Sequence, residues 1–411
     1  MYCPITWPIE HGDSLEVLRG YPSETFTAVV TDPPYGLKFM SGHIDWDHSL
    51  PSVEFWREVL RVSKPGAPLL AFGGTRTFHR LAVAIEDAGW EFRDTIGWFY
   101  GSGFPKSHAI GKAIDKAAGA ERAVVGKVVV ANTERRDTAS LGISKGGGFK
   151  NQRDLTAPAT PEAATWEGYG TALKPAWEPI IVAMKPLAGT YAQNALAHGV
   201  AGLNIDAARI PTGDKLGGGA QSASLEHFQG EGMAGWKRPW MDDPQAKELY
   251  AERTRANVAN AEALGRWPAN VMMDEEAAAV LDAQVPPTPP KAAARIKCNP
   301  SDSIGTFKTD LRYTSRPACP GGGPSRFFYV AKPSKKEKGP GAGHPTVKPL
   351  ALMRQLIKTV TYPGDNLILD PFAGSGTTIL AAMELGVPAV GIEREAEYLE
   401  IILERLRGHA P

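Results

Sequence analysis

Four consecutive residues, Asp32-Pro33-Pro34-Tyr35, carry the densest chemistry in the chain. They place a carboxylate, carbonyls stiffened by two prolines and an aromatic ring within one turn, because proline has no N–H with which to extend a strand ladder. The set suits an amine on a planar base, with acceptors for the amine hydrogens and a ring to stack on. An ordinary strand-ending turn could have the same sequence, so the tetrapeptide alone leaves both readings open. A second constellation lies far downstream, in Asp370-Pro371-Phe372-Ala373-Gly374-Ser375-Gly376-Thr377-Thr378, with Glu393 beyond it. Gly374 and Gly376 let backbone approach a ligand where a Cβ would clash, and the helix start behind them offers N–H groups to an anion. An acid at the tip of the following strand can accept from both ribose hydroxyls, which makes this a half-unit for an adenosine-containing cofactor. A dinucleotide dehydrogenase would begin with the motif and carry a third glycine; this chain does neither.

Both constellations need strands to hold them. Phe26-Thr27-Ala28-Val29-Val30-Thr31 is β-branched and apolar, a buried strand that the prolines stop. Phe55, Val59, Leu60 and Val62 predict a helix, Leu69 to Phe72 a second strand, Arg76 to Ala88 a helix and Phe92 to Tyr100 a third strand. Alternation of strand and helix predicts a parallel α/β sheet. Near the C-terminus, Leu352, Leu356 and Ile357 mark a helix, Asn366 to Asp370 a strand, Thr378 to Leu385 a helix and Ala389 to Glu393 another strand. Between these blocks the texture changes. Residues 111–164 are rich in Gly, Lys, Ala and Thr and predict a flexible loop insertion. Ile180 to Met184 is a return strand within 165–186. Residues 187–324 read as irregular, with helical patches at Glu248–Ala263 and Glu275–Leu281, and Phe327 to Val330 opens the last block, 325–411. The first block is 1–110. Asp13 or Ser14 can cap a short helix carrying Leu15, Val17 and Leu18.

Composition narrows the classes. At 411 residues, 43% hydrophobic and 22% charged, the chain is an ordinary globular sequence with room for two or three domains. Net charge is zero, yet Lys291 to Lys348 holds 12 Lys/Arg against 3 Asp/Glu, a local basic segment that suits phosphates. Three scattered cysteines make neither a disulfide framework nor a zinc knuckle, and no His-Glu-x-x-His pattern occurs, so no metal is expected. No signal-peptide pattern and no apolar run approaching the roughly 20 residues of a bilayer span is present, so a cytoplasmic location without membrane contact is expected.

Taken together, D-P-P-Y (32–35), H-P-T-V-K-P (344–349) and D-P-F-A-G-S-G-T-T (370–378) resemble the S-adenosylmethionine-dependent DNA methyltransferases that modify amino groups. Catalytic motif first, a long variable middle and the cofactor loop last is the order of the β-class. The resemblance covers roughly 1–110 and 325–411. It implies a Rossmann-like, mostly parallel twisted sheet with helices on both faces, and makes 187–324 a target-recognition region inserted into it. It places the strand before D-P-P-Y beside the strand before the glycine loop. It implies catalysis by Asp32, Pro33, Pro34 and Tyr35, with Tyr35 stacking on a flipped base of double-stranded DNA. It implies S-adenosylmethionine contacts from Asp370, Phe372, Gly374, Ser375, Gly376, Thr377 and Glu393, puts Thr346 and Lys348 near the cofactor's methionine end, and brings Asp13 to its adenine. Asp13 as a plain helix cap and Lys348 as a structural residue are the competing readings. Lys332, Lys335, Lys336 and Lys338 are expected on phosphates. Aspartate as the first residue of the tetrapeptide is more typical of adenine-N6 than of cytosine-N4 enzymes.

Other chemistries fit less well. Cytosine C5 methylation needs a nucleophilic cysteine, usually after proline, whereas Cys3, Cys298 and Cys319 follow Tyr2, Lys297 and Ala318. An RNA or protein amine methyltransferase would place the cofactor loop ahead of the tetrapeptide. A non-catalytic DNA-binding module has no use for an intact Asp32 beside Gly374 and Gly376. A cognate restriction endonuclease and a homodimer stay open as further partners.

Overall fold

The computed structural model describes residues 7–37, 49–101, 103, 107–129, 152–214, 243–285, 287, 294–296, 314–316, 321–331 and 347–408. Along the chain run β1 (Ile9–His11), α1 (Ser14–Arg19), β2 (Ala28–Thr31), α2 (Val53–Val62), β3 (Pro68–Phe72), α3 (Phe78–Asp87), β4 (Glu91–Phe99) and α4 (Ile110–Ala117). Next come β5 (Val124–Val129), β6 (Gln152–Thr156), α5 (Pro161–Thr165), β7 (Trp177–Met184), α6 (Tyr191–His198), α7 (Ile205–Ala208), α8 (Pro244–Leu264), β8 (Val271–Asp274) and α9 (Glu275–Gln284). The remainder is β9 (Ala294–Ile296), β10 (Thr314–Arg316), a 3₁₀ turn at Pro324–Phe327, β11 (Tyr329–Ala331), α10 (Leu350–Thr359), β12 (Ile368–Asp370), α11 (Thr377–Glu384), β13 (Ala389–Glu393) and α12 (Ala396–Arg407).

Nine strands form one sheet in the order β1-β13-β12-β2-β3-β7-β4-β8-β11. The central strands are buried along their whole length, as the unbroken apolar runs of β2 and β3 require when helices cover both faces. On one face α10 and α11 pack over Val30, Leu70, Phe72, Ile180 and Ile368. On the other α1, α2 and α3 cover Val29, Leu69, Ala71, Ile181 and Leu369. Consecutive residues of β2 and β12 thus feed opposite cores, the period-2 rule of a strand. The result is a Rossmann-like doubly wound sheet. β2 pairs in parallel with β12 (Ala28 with Ile368, Val29 with Leu369), the adjacency that the motifs imply.

Three details depart from the sequence reading. The strand at 92–100 does not join β3; β7 lies between them and runs antiparallel to both. An apolar strand looks the same in either direction, and only its long-range partners set its sense. The 111–164 segment is not simply loop, for its described parts build α4, α5 and the antiparallel β5–β6 pair. Its organiser is polar: buried Asp115 accepts from Ala159 N (3.1 Å), Thr160 N (3.0 Å), Thr160 Oγ1 (2.8 Å) and Arg122 Nη1 (2.8 Å). A hydrogen-bonded hub of this kind leaves little apolar signal in the composition. Finally, the region read as irregular contributes β8 to the main sheet, parallel to β4 and β11.

Candidate active site

β2, β3 and β12 are parallel, so their carboxyl ends open at one edge of the sheet. Asp32 lies just past β2. Its Oδ1 accepts from the Tyr35 hydroxyl at 2.8 Å, and its Oδ2 accepts from Lys348 Nζ at 2.7 Å. Tyr35 is seated by Gly74, where a Cβ would come 3.0 Å from its ring, and its carbonyl accepts from Thr77 Oγ1 at 2.8 Å. The Lys348 ammonium also lies 3.1 Å from the Tyr35 hydroxyl, 4.9 Å from the centre of the Phe72 ring and 5.3 Å from that of Tyr35.

No motif pointed to Glu178, yet its Oε2 lies 3.2 Å from Lys348 Nζ and 3.4 Å from the Tyr35 hydroxyl. Because β7 is reversed, its first residues, not its last, reach this edge. A lone acid at the head of the apolar run Ile180–Met184 was the available signal, since carboxylates are rarely buried without a partner. Burial, then the charges of Asp32 and Glu178, raise the Tyr35 phenol well above its ordinary range. For Lys348, burial favours the neutral amine, but the two carboxylates outweigh it and hold the group charged, its pKa above the usual lysine value. Tyr100 completes the wall, its phenol pushed up to about 12 by burial and by Glu178.

Across the β2–β12 pair stands the second turn. Asp370 ends β12 at 1% exposure, with Oδ1 accepting from Thr31 Oγ1 (2.8 Å) and Phe372 N (3.1 Å). Burial is the main cause that lifts its pKa to about 6. Its carboxylate faces Thr31 and the amide of the turn. Gly374 and Gly376 have φ of +55° and +74°, and a Cβ on Gly376 would meet Ile402 Cγ2 at 2.7 Å. Ser375 and Thr377 are buried with their hydroxyls 3.2 Å apart, and Arg405 donates to the Ser375 carbonyl. Phe372 packs against Phe55 with ring centres 5.0 Å apart. Glu393, at the tip of β13, accepts from Gly374 N at 2.7 Å and from Glu395 N at 2.8 Å. Burial raises its pKa, with those two hydrogen bonds opposing.

Asp13 caps α1, accepting from Leu15 N at 3.0 Å and Glu16 N at 3.4 Å. It follows β1, whose His11 pairs with Glu393, so the cap also stands beside the cofactor-type turn. Ser14 Oγ donates to the Pro371 carbonyl at 2.5 Å, a brace on that turn that no motif signalled. Lys348, assigned by resemblance to a cofactor's methionine end, has its ammonium on Asp32 itself. Thr346, Lys332, Lys335, Lys336 and Lys338 lie outside the described residues. Among the described residues no group of His, Cys, Asp and Glu could hold a metal ion, and no helix is long and apolar enough to cross a membrane.

The family described as "DNA methylase" matches residues 26–404. The chain is 34% identical over 145 residues to type II methyltransferase M.ScaI of Streptomyces caespitosus, covering 35% of this chain and 41% of that protein. It is 50% identical over 72 residues to type II methyltransferase M2.DpnII of Streptococcus pneumoniae, covering 18% and 26%. The matched stretches thus span less than half the length of these curated relatives. Among solved structures, the PvuII DNA methyltransferase (cytosine-N4-specific) overlaps 97% of this chain and 85% of its own at 14% identity, with a TM-score of 0.41.

Proposed function

The chain belongs to the DNA methylase family, the N6-adenine/N4-cytosine amino-methylating class that uses S-adenosylmethionine, and on that premise we propose that it methylates the exocyclic amine of a base in double-stranded DNA. One observation carries the reading: the Asp32–Tyr35 turn and the Gly374–Gly376 turn end adjacent parallel strands, so an amine acceptor and a nucleoside cradle share one crevice.

The residues at the second turn fit the cofactor. A Cβ on Gly376 would run into buried Ile402 of α12, so the tight form of the turn requires glycine there, and Glu393, with two amide donors on it, has acceptor capacity left for ribose hydroxyls. Gly374, Gly376, Glu393 and Phe372 are the residues that would hold it, with Asp13 beside them and Asp370, Ser375 and Thr377 shaping the turn from within. When bound, S-adenosylmethionine supplies an electrophilic methyl group on a sulfonium. Asp32 and the Pro33 carbonyl accept the two amine hydrogens, which draws the nitrogen lone pair out of conjugation with the base. Tyr35 stacks on the flipped base, and its neutral phenol keeps Asp32 oriented. Methylation would leave one surplus proton on the nitrogen, its positive charge coming from the sulfonium that ends as a neutral thioether, and Asp32, hydrogen-bonded to that amine, would accept the proton. Positioning and electrostatics supply the rate, without covalent attachment to the protein.

Adenine N6 is the proposed target, supported by aspartate in the first position of the tetrapeptide; both amines need the same acceptors, so geometry favours neither. Methylation of duplex DNA with labelled cofactor, digestion to nucleosides and mass identification tests this. Label in N6-methyldeoxyadenosine is expected, and label confined to the deoxycytidine fraction would overturn the adenine assignment. The basic segment after β11 is proposed to contact phosphates: neutralising Lys335 and Lys336 should shallow the salt dependence of binding by about one unit per lost contact. The type II names of the relatives support a restriction-modification setting, for which resistance of the methylated DNA to a co-encoded endonuclease is the check.

A further inference from the structure

The catalytic turn carries one more carboxylate than the proposed reaction uses. Asp32 Oδ2 and Glu178 Oε2 lie 2.7 and 3.2 Å from one ammonium, that of Lys348, while the Tyr35 hydroxyl donates to Asp32 Oδ1 at 2.8 Å. The side chains are secluded: Lys348 is 11% exposed, Asp32 21% and Glu178 23%. Donors from the protein therefore occupy both oxygens of the very carboxylate that an incoming amine must reach. Of the two donors the ammonium is the stronger competitor, because a charge-assisted hydrogen bond outweighs one from a neutral hydroxyl.

An ammonium cannot simply be pushed aside in such surroundings, since leaving it unpaired would carry a large desolvation penalty. Glu178 removes the difficulty. It already touches Lys348, and the Phe72 and Tyr35 rings keep the ammonium within reach of both acids. Moving from a shared position to Glu178 alone leaves Lys348 paired and frees Asp32 Oδ2. The charges agree with this. Two carboxylates and one ammonium give the site a net negative charge, the sign that stabilises positive charge developing on the amine nitrogen. With Glu178 neutral, the same site would carry no net charge.

We propose that Glu178 is a positioning residue, a counter-acceptor that draws Lys348 off Asp32 when the target amine arrives, so that Lys348 latches the resting site and Glu178 opens it. The inference rests on Asp32 being the amine acceptor. Because the latch acts after the duplex is bound, its signature is in turnover. In the full-length chain, Glu178→Gln should lower kcat on unmethylated genomic DNA by about tenfold while KM for DNA and the calorimetric affinity for S-adenosylmethionine stay within about twofold. Glu178→Asp, which keeps the charge, should recover most of the loss. The decisive measurement is a double-mutant cycle: once Lys348→Met has removed the latch, Glu178→Gln should cost no more than about a further twofold. An unchanged kcat in Glu178→Gln, or the same tenfold loss in both backgrounds, would overturn the proposal. If Glu178→Gln folds poorly, Glu178→Ala carries the same cycle, with about a tenfold loss of kcat expected beside Lys348 and no more than about a further twofold beside Lys348→Met. Wild-type turnover in Asp32→Ala would remove the parent reading and the latch with it, whereas an inactive Asp32→Ala beside an unaffected Glu178→Gln removes the latch alone.

Discussion

β2 and β12 lie side by side and end in the same dipeptide, Asp32-Pro33 and Asp370-Pro371, yet the two aspartates live in opposite surroundings. Asp32 keeps 21% of its side chain exposed and is ion-paired to Lys348. Asp370 is 1% exposed and accepts from a hydroxyl and a main-chain amide. The residues after each dipeptide decide the difference. Tyr35 reaches back to hold Asp32 at the crevice beside Lys348, whereas the turn after Pro371 brings the Phe372 amide onto Asp370. The turns are also joined, because Thr31, the residue before Asp32, supplies a hydroxyl donor to Asp370. One acid stands at the crevice, held by Tyr35 and Lys348; the other braces the turn beside it.

The contrast between the two turns is tested most severely at Asp32. Asp32→Ala should lower methyl transfer by about 10²–10³-fold, the scale of losing a principal electrostatic contact, while cofactor affinity stays within about tenfold. Transfer of labelled methyl and calorimetry read the two quantities separately. On the opposite turn the order reverses: Gly376→Val forces a side chain into φ +74° and against Ile402, and should cost about 1–3 kcal/mol in stability together with cofactor affinity. A denaturant melt and a cofactor titration check this, and a fully stable variant with normal affinity would show that the turn is not tight. Glu393→Ala should be milder, weakening the cofactor by about tenfold, because two amides lose their acceptor along with the ribose.

The smallest effect belongs to Asp370 and is read in pH. Its pKa is about 6 in the fold against an ordinary 3.8, so its neutral form is the one that the fold favours. The stabilisation it brings is complete below the ordinary value and is lost as pH rises through about 6. Asp370→Asn keeps the Oδ1 acceptor and removes the titration. Relative to wild type, its Tm should therefore climb between pH 4 and 7 and level off above. A difference that stays flat with pH would show that Asp370 does not titrate in this window.

The two turns were legible in sequence because each needs unusual residues in fixed order: prolines that stop a strand, glycines that take positive φ. The strands that carry them were legible as apolar runs. Glu178 was not, since its place depends on β7 running against its neighbours, and strand sense is a long-range property that no local pattern records. The 110–165 segment was hidden for another reason. Its organiser is Asp115 with its ring of donors, and a polar hub looks like solvated loop when only hydrophobicity is counted. Asp13 illustrates a third case, one residue whose type suits a cap and a ligand contact equally, and whose position shows the cap in place.

The pairing of β2 with β12 has a consequence for the newborn chain. Val29 and Leu369 are register partners, so β2 leaves the ribosome hundreds of residues before its neighbour exists. Until then one edge of β2, with its apolar flanks, is open to pairing with other chains, the hazard of any unprotected strand edge. β1 waits longer still, for β13. The crevice cannot close until β12 and β13 have been made, and no fragment lacking them can assemble it. Pairing strands so far apart in sequence requires closing very long loops, the kind of contact that slows folding.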